Sequence, residues 1–327
     1  MEHPWQKAVV AITLFVTAMA SFGFSSSLPA WVFYFDDRRP AHLSTVGTLE
    51  VDLPEGRAVG TAVLVDECGI LTNAHIAFGP WHVTALRPPS RSFDGIFTLT
   101  EVWLTDGTHP TARATPVVWG DARGLEQLTR PGEDWAYLVL DNCLGRQHGS
   151  LDLARGGTSA ARGEDDFVAI GYSTGRQMID PACGIYGERS DEGAGWLHDC
   201  AVLSGDSGGP ILRRDTNQVA AIARGVFDYG KCQARASRGF KALLTESDGL
   251  CGNLAVPVTP EMINVVHGAG MQVGVQRFLL QLGYDAGRLG AIDEAAAAAA
   301  IRRFGLPVTG EPSQSLYNIL CLRLKVA

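Results

Sequence analysis

Apolar residues recur in short runs through the middle of the chain, at Val46–Val51, Ala58–Val65, Thr98–Leu104, Trp135–Leu140, Phe167–Tyr172 and Gln218–Phe227. Each run is continuous or alternates with period two, the spacing of a strand whose side chains point to opposite faces. Turn-rich segments such as DECG (66–69) and GDARG (120–124) separate them. Many short strands and few helical periodicities predict a mainly β body, a sandwich or barrel. Near residue 259 the period changes. Thr259 can cap a helix, Pro260 suits its first position, and Met262, Ile263, Val265 and Val266 make an apolar face. This predicts a helix closing the β body, followed by a linker at HGAG (267–270). Beyond Val273 the pattern is helical again. VQRFLLQLG (275–283) ends at a glycine, Asp293 can cap EAAAAAAIRRFG, and Ser313–Leu322 reads as a third short helix. The boundaries predict a β domain over 45–268 and a helical unit over 271–327, which either folds alone or packs on the β domain as a tail.

The first 44 residues stand apart. A polar start, MEHPWQK, precedes the apolar run AVVAITLFVTAMA over residues 8–20. That run is shorter than the ~20 residues a membrane span needs, and Ala18-Met19-Ala20 offers a signal peptidase its small-x-small pattern. Residues 1–20 are therefore expected to be a signal peptide and 21–44 a spacer or pro-segment. The competing reading is an uncleaved anchor, because apolar residues resume at Phe22, Phe24 and Trp31–Phe35. Cleavage would leave an exported chain, secreted or periplasmic in a bacterium, with no stable membrane span.

Composition narrows the class. With 327 residues, 46% hydrophobic and 19% charged, the chain has length for two domains and is not disordered. A net charge of −8 argues against nucleic acid as its partner. Seven cysteines fit an oxidising compartment, and with no CxxC pair they lack zinc-ribbon or thioredoxin spacing. No metal or cofactor is implied. Cys183 and Cys200 flank GIYGERSDEGAGW, a stretch able to turn a hairpin, and form the first candidate bridge, with Cys232–Cys251 the second. The odd count leaves at least one thiol free or paired outside the chain.

The chemistry centres on Gly205-Asp206-Ser207-Gly208-Gly209-Pro210. Glycines around a serine allow a tight turn that exposes the hydroxyl and directs successive N–H groups into one small space. The N–H groups of Gly205 and Ser207 could hold an oxyanion formed when the serine attacks an acyl carbon. Chance would produce this string about once in 10⁴ chains of such composition. A serine needs a base. Of His3, His42, His75, His82, His109, His148, His198 and His267, only His75 directly follows a strand-like run, GILTNAH. His198 is assigned to the hairpin ending at Cys200. The base needs a buried acceptor to fix its tautomer. Asp134, opening DWAYLVLD, is the candidate, and Asp121, in a turn, is its rival.

The order His…Asp…Ser, with TNAH, DWAYLVL and GDSGGP around the three, resembles the trypsin-like serine peptidases of chymotrypsin fold over about residues 45–268. The resemblance implies two six-stranded antiparallel barrels with the site between them. It implies His75 as general base, Asp134 as its orienting partner, Ser207 as nucleophile, and Gly205 and Ser207 N–H groups as the oxyanion hole. Departures accompany it. Ile76 stands where many members have cysteine, and no Ile-Val-Gly-Gly-like start follows Arg38-Arg39, which argues against zymogen activation through Asp206. Six residues before the serine, where trypsin is acidic, stands Ala201, so a small or apolar preference is expected rather than Lys or Arg. Arg224, on the strand expected to line that pocket, either attracts an acidic side chain or snorkels outward.

Residues 275–320 resemble the three-helix peptidoglycan-binding-like domain, through VQRFLLQLGY, AAIRRF and GLPVTGE. The helix connection is shortened and the middle loop irregular relative to that family. The reading is an exported serine endopeptidase acting on proteins or peptides, with peptidoglycan as a second partner and the cell wall as a destination. The alternatives are a catalytically inactive protease-fold peptide-binding protein and a non-proteolytic acyl hydrolase. Against an α/β-hydrolase stand the missing GxSxG elbow and the triad order.

Overall fold

Thirteen strands, labelled in chain order, build two antiparallel units in the computed structural model, which describes residues 41–53, 56–79, 95–102, 104, 106–120, 131–155, 166–173, 175–189, 195–227, 252–281, 283–284, 293–303, 312 and 316. The first unit is a closed barrel in the order β1 (Val46–Leu53), β2 (Gly56–Leu64), β3 (Gly69–Thr72), β6 (Ala136–Leu140), β5 (Thr111–Trp119) and β4 (Gly95–Thr98). Its interior holds Leu49, Leu64, Ile70, Phe97, Leu138 and Leu140. The opposite faces of the same strands carry Val63, Leu71, Tyr137 and Val139 into a second core, shared with Ile170, Leu212, Ile222 and Val256. Burial on both faces explains why AYLVL is apolar throughout rather than alternating.

The second unit is a sheet in the order β8 (Arg176–Cys183), β7 (Phe167–Ser173), β11 (Pro210–Arg213), β12 (Val219–Phe227), β13 (Gly252–Pro257), β10 (Gly195–His198) and β9 (Ile185–Arg189). A closed six-stranded barrel was expected here, and seven strands are found. The difference lies at Gly184. Only that residue separates β8 from β9, so one run of chain supplies both edges of the sheet. Counted as one bent strand, it restores the expected six and leaves the sheet curled on itself. The architecture is chymotrypsin-like.

Several expectations shift. The run Thr98–Leu104 is strand only at its start. Beyond Thr98 the chain turns, with Val102 N–H donating to Leu99 O and Gly107 N–H to Leu104 O. The linker expected at HGAG is absent, because a single helix, α3, runs over Pro260–Gln281. (α1 and α2 are the short helices Ala74–Phe78 and Leu144–His148.) Thr259 caps α3 through Oγ1 to Met262 N–H at 3.1 Å, as its sequence predicts. The glycines of HGAG cost helix propensity, but Val266, Ala269 and Val273 are buried against the β body, and that packing carries the helix through. Its far end closes at Gly283 with a paired bond set, Tyr284 N–H to Leu279 O and Gly283 N–H to Leu280 O. Val275 and Leu279 then join Ala297, Ala300 and Ile301 of α4 (Glu294–Arg303), plus Leu316, in a small separate core. Asp293 caps α4 as expected. Among the described residues no helix is long and apolar enough to cross a membrane. The signal segment, Cys232–Cys251 and most of the third C-terminal helix lie outside the described residues.

Cys183 and Cys200 are bonded at the base of the β9–β10 hairpin, as expected. A second bridge, Cys68–Cys143, was not foreseen. β3 pairs with β6, Gly69 opposite Val139, so the residue before one strand meets the segment after the other. The bridges close loops with sequence separations of 75 and 17 residues. Chain entropy assigns them about 4.5 and about 3 kcal/mol. Denaturant titration is therefore expected to show a larger stability loss for Cys68→Ala/Cys143→Ala than for Cys183→Ala/Cys200→Ala. Equal losses or the reverse order would contradict this.

Candidate active site

Three chain segments converge at the seam between the two units. β3 ends at Thr72, and α1 begins two residues later, lifting His75 off the barrel edge. Asp134 lies just before β6, the neighbour of β3, so the strand pairing that aligns Thr72 with Ala136 also brings Asp134 beneath His75. Asp134 is 1% exposed. Its Oδ2 faces His75 Nδ1 at 2.7 Å and its Oδ1 accepts the His75 backbone N–H at 3.0 Å. Asn73 Nδ2 donates to the Asp134 carbonyl at 2.8 Å, locking the segment in place. Burial works against ionisation of this carboxyl, but His75 and then Arg224 outweigh it and hold the pKa down to about 2.

Ser207 stands in the turn that leads into β11. Its Oγ donates to the carbonyl of Arg224 at 3.1 Å, and among the described residues no hydrogen bond joins it to His75. The turn is held by Thr61 of β2. Thr61 N–H donates to Ser207 O at 2.8 Å, and its hydroxyl donates to Gly205 O at 2.8 Å while accepting Tyr172 N–H at 2.9 Å. Sequence reasoning missed Thr61; a hydroxyl inside the buried run GTAVLV was the available signal. Gly205 and Gly208 have φ of 102° and 87°, backbone that side chains rarely adopt. Asp206 turns inward over Gly171, its Oδ2 accepting Leu203 N–H at 2.7 Å. Its Oδ1 is buried with no hydrogen-bond partner among the described residues, and burial pushes the carboxyl up to about 6.

The pocket candidates separate. Ala201 is partly buried, with its N–H donating to Asp180 Oδ2 at 2.8 Å. Arg224, expected on the strand lining the pocket with its head either attracting an acidic side chain or snorkelling outward, does not turn outward. Its side chain is 6% exposed and Nε donates to Asp134 Oδ2 at 2.8 Å. A buried carboxylate with room for another donor draws the guanidinium inward, so that nitrogen is unavailable to a substrate. His198 lies on β10 as expected, fully buried, with burial lowering its pKa to about 4. Asp121 lies outside the described residues.

A closed antiparallel barrel, a curled second sheet and a His–Asp pair beside a glycine-flanked serine at their seam define the chymotrypsin-like class of fold. Residues 60–222 match the family model of the trypsin-like peptidase domain, a match that supports a serine-type peptidase. Similar solved structures include a Glu endopeptidase at 16% identity, covering 73% of this chain and 95% of that one, with a TM-score of 0.49. The thermostable serine protease AL20 from an extremophilic microorganism follows at 14% identity, 67% and 94% coverage and a TM-score of 0.47. The active form of the Rv3671c protease from M. tuberculosis shows 15% identity, 67% and 78% coverage and a TM-score of 0.41. No curated protein matches the chain.

Proposed function

We propose that the protein is an exported serine endopeptidase that hydrolyses peptide bonds through His75, Asp134 and Ser207. The observation that carries this reading is the double grip of one buried carboxylate on His75, through the ring Nδ1 and the backbone N–H. That grip fixes the ring with Nε2 as the free base. Ser207 leaves the Arg224 carbonyl, gives its proton to Nε2 and attacks the substrate carbonyl carbon. The N–H groups of Gly205 and Ser207 receive the oxyanion. His75 then protonates the leaving amine, and water activated by the same ring releases the acyl group. At the floor of the specificity pocket Ala201 carries no charge, which favours small or apolar side chains over Lys and Arg. The resemblance of residues 275–320 to a peptidoglycan-binding-like domain supports placement at the cell wall, with the α3–α4 core as the described part of that unit.

The resting position of Ser207, bonded to Arg224 O, favours one second reading: a cleft that holds peptide without cutting it. Fluorophosphonate labelling of the mature chain separates the two. Labelling that disappears in both Ser207→Ala and His75→Ala is expected. A folded wild type that takes up no probe would instead point to the inactive binding protein.

A further inference from the structure

An arginine on a sheet strand ordinarily keeps its head in water. Arg224 is buried, and its two polar ends serve opposite sides of the site. Nε donates to Asp134 Oδ2, the same oxygen that faces His75 Nδ1, and the carbonyl accepts the Ser207 hydroxyl. While His75 waits as a base its ring must be neutral, so it offers Asp134 a hydrogen bond but no countercharge. Burying an ionised carboxylate without a countercharge is costly. Arg224 is the cation in contact with it. The groups around Asp134 leave no competitor among the described residues: α1 brings His75, β12 brings Arg224, β13 brings no charged side chain, and β10 brings His198, whose own burial keeps it neutral near pH 7.

We propose that Arg224 is a positioning residue for the reaction, its guanidinium keeping Asp134 ionised and its Oδ2 aimed at the His75 ring while its carbonyl parks the Ser207 hydroxyl. The effect on rate rests on the catalytic reading above; the ion pair does not. When His75 accepts the serine proton, the carboxylate lies between two cations, so Arg224 gives up some electrostatic help to the imidazolium in exchange for a fixed acceptor. Losing that fixed geometry is the larger effect, since misplacing a reacting group by about 1 Å costs on the order of 100-fold.

Two arms test this on the full mature chain with Arg224→Met, which keeps length and drops charge, and Arg224→Lys. Arg224→Gln replaces the methionine variant if that does not fold. The first arm measures thermal melting from pH 8 to about pH 2.5 in a Ser207→Ala background, free of any catalysis. The pKa of Asp134, about 2 in the folded chain, lies below its unfolded value of about 3.9. Its contribution is thus present above pH ~4 and lost as pH falls towards 2. Without the guanidinium the carboxyl rises, so Arg224→Met melts below its parent at pH 7 and the gap narrows on acidification. Arg224→Lys stays closer to the parent. A gap that does not change with pH overturns the ion-pair role.

The second arm measures kcat and KM on a peptide ester against pH. Arg224→Met is expected to lose about 10- to 100-fold in kcat with KM within about twofold. Its acid edge in kcat/KM should move up by half a pH unit or more, and Arg224→Lys should recover most of both changes. Rates and edge matching wild type overturn the positioning role. A wild type that neither labels nor turns over overturns it together with the catalytic reading, while the melting arm still decides the ion pair.

Discussion

Asp134→Asn is expected to lower kcat/KM on a peptide or ester substrate by about 10⁴-fold and to cost about 3–5 kcal/mol of stability. The carboxylate accepts three bonds, from the His75 backbone, the His75 ring and Arg224 Nε. An amide keeps one acceptor oxygen. If its NH₂ takes the Oδ2 position, it meets Arg224 head-on and can only donate to the His75 ring, which selects the tautomer unable to take the serine proton. If its oxygen takes that position, the NH₂ opposes the backbone N–H of His75. Either way the guanidinium of Arg224, with its side chain 6% exposed, is left without a countercharge. Turnover of a peptide ester and the urea midpoint, measured on the same preparation, check both effects. A rate within tenfold of wild type at an unchanged midpoint would sink the argument.

Gly208→Ala is expected to cost more than about 4 kcal/mol, most of the margin of about 5–15 kcal/mol that holds a domain together. Its φ of 87° is one penalty, and the larger one is steric. A Cβ there would fall against the Thr61 carbonyl and the Thr72 hydroxyl. Neither can yield, because both are buried and bonded to each other at 2.7 Å. Gly175 supplies the control. Its φ of 76° is similar, but a Cβ would meet nothing within 4 Å, so Gly175→Ala should cost only about 1–2 kcal/mol of backbone strain. Urea unfolding of the two variants separates clash from strain. Equal midpoints would show that Gly208 is fixed by backbone conformation alone.

Much of this site was legible because its parts sit at strand ends. GILTNAH and DWAYLVL are apolar runs with their candidate residue, His75 or Asp134, at one terminus, and the six residues around Ser207 form a string that chance rarely supplies. The strands that escaped notice have identifiable reasons. β5 and β8 contain Pro116 and Pro181, which lack the N–H a ladder needs, and β11 has only four residues. Cys68 and Cys143 gave no local signal, since the β3–β6 register alone brings them together across 75 residues. HGAG read as a linker because glycine weakens a helix locally, whereas burial of Val266, Ala269 and Val273 decides the matter from outside.

By itself, the sequence determined the β body, the helical C-terminal segment and the Cys183–Cys200 hairpin, and it singled out His75, Asp134 and Ser207 as candidates. Each follows from local periodicity, turn chemistry or a short motif. What tertiary structure alone decided concerns groups far apart in the chain. Thr61 reaches across 144 residues to hold the Gly205 carbonyl. Arg224, read from its strand as a pocket residue, crosses 90 residues to reach Asp134. A side chain's period along a strand says which face it occupies, but its partner is set by which buried charge lies nearest once the two units have closed.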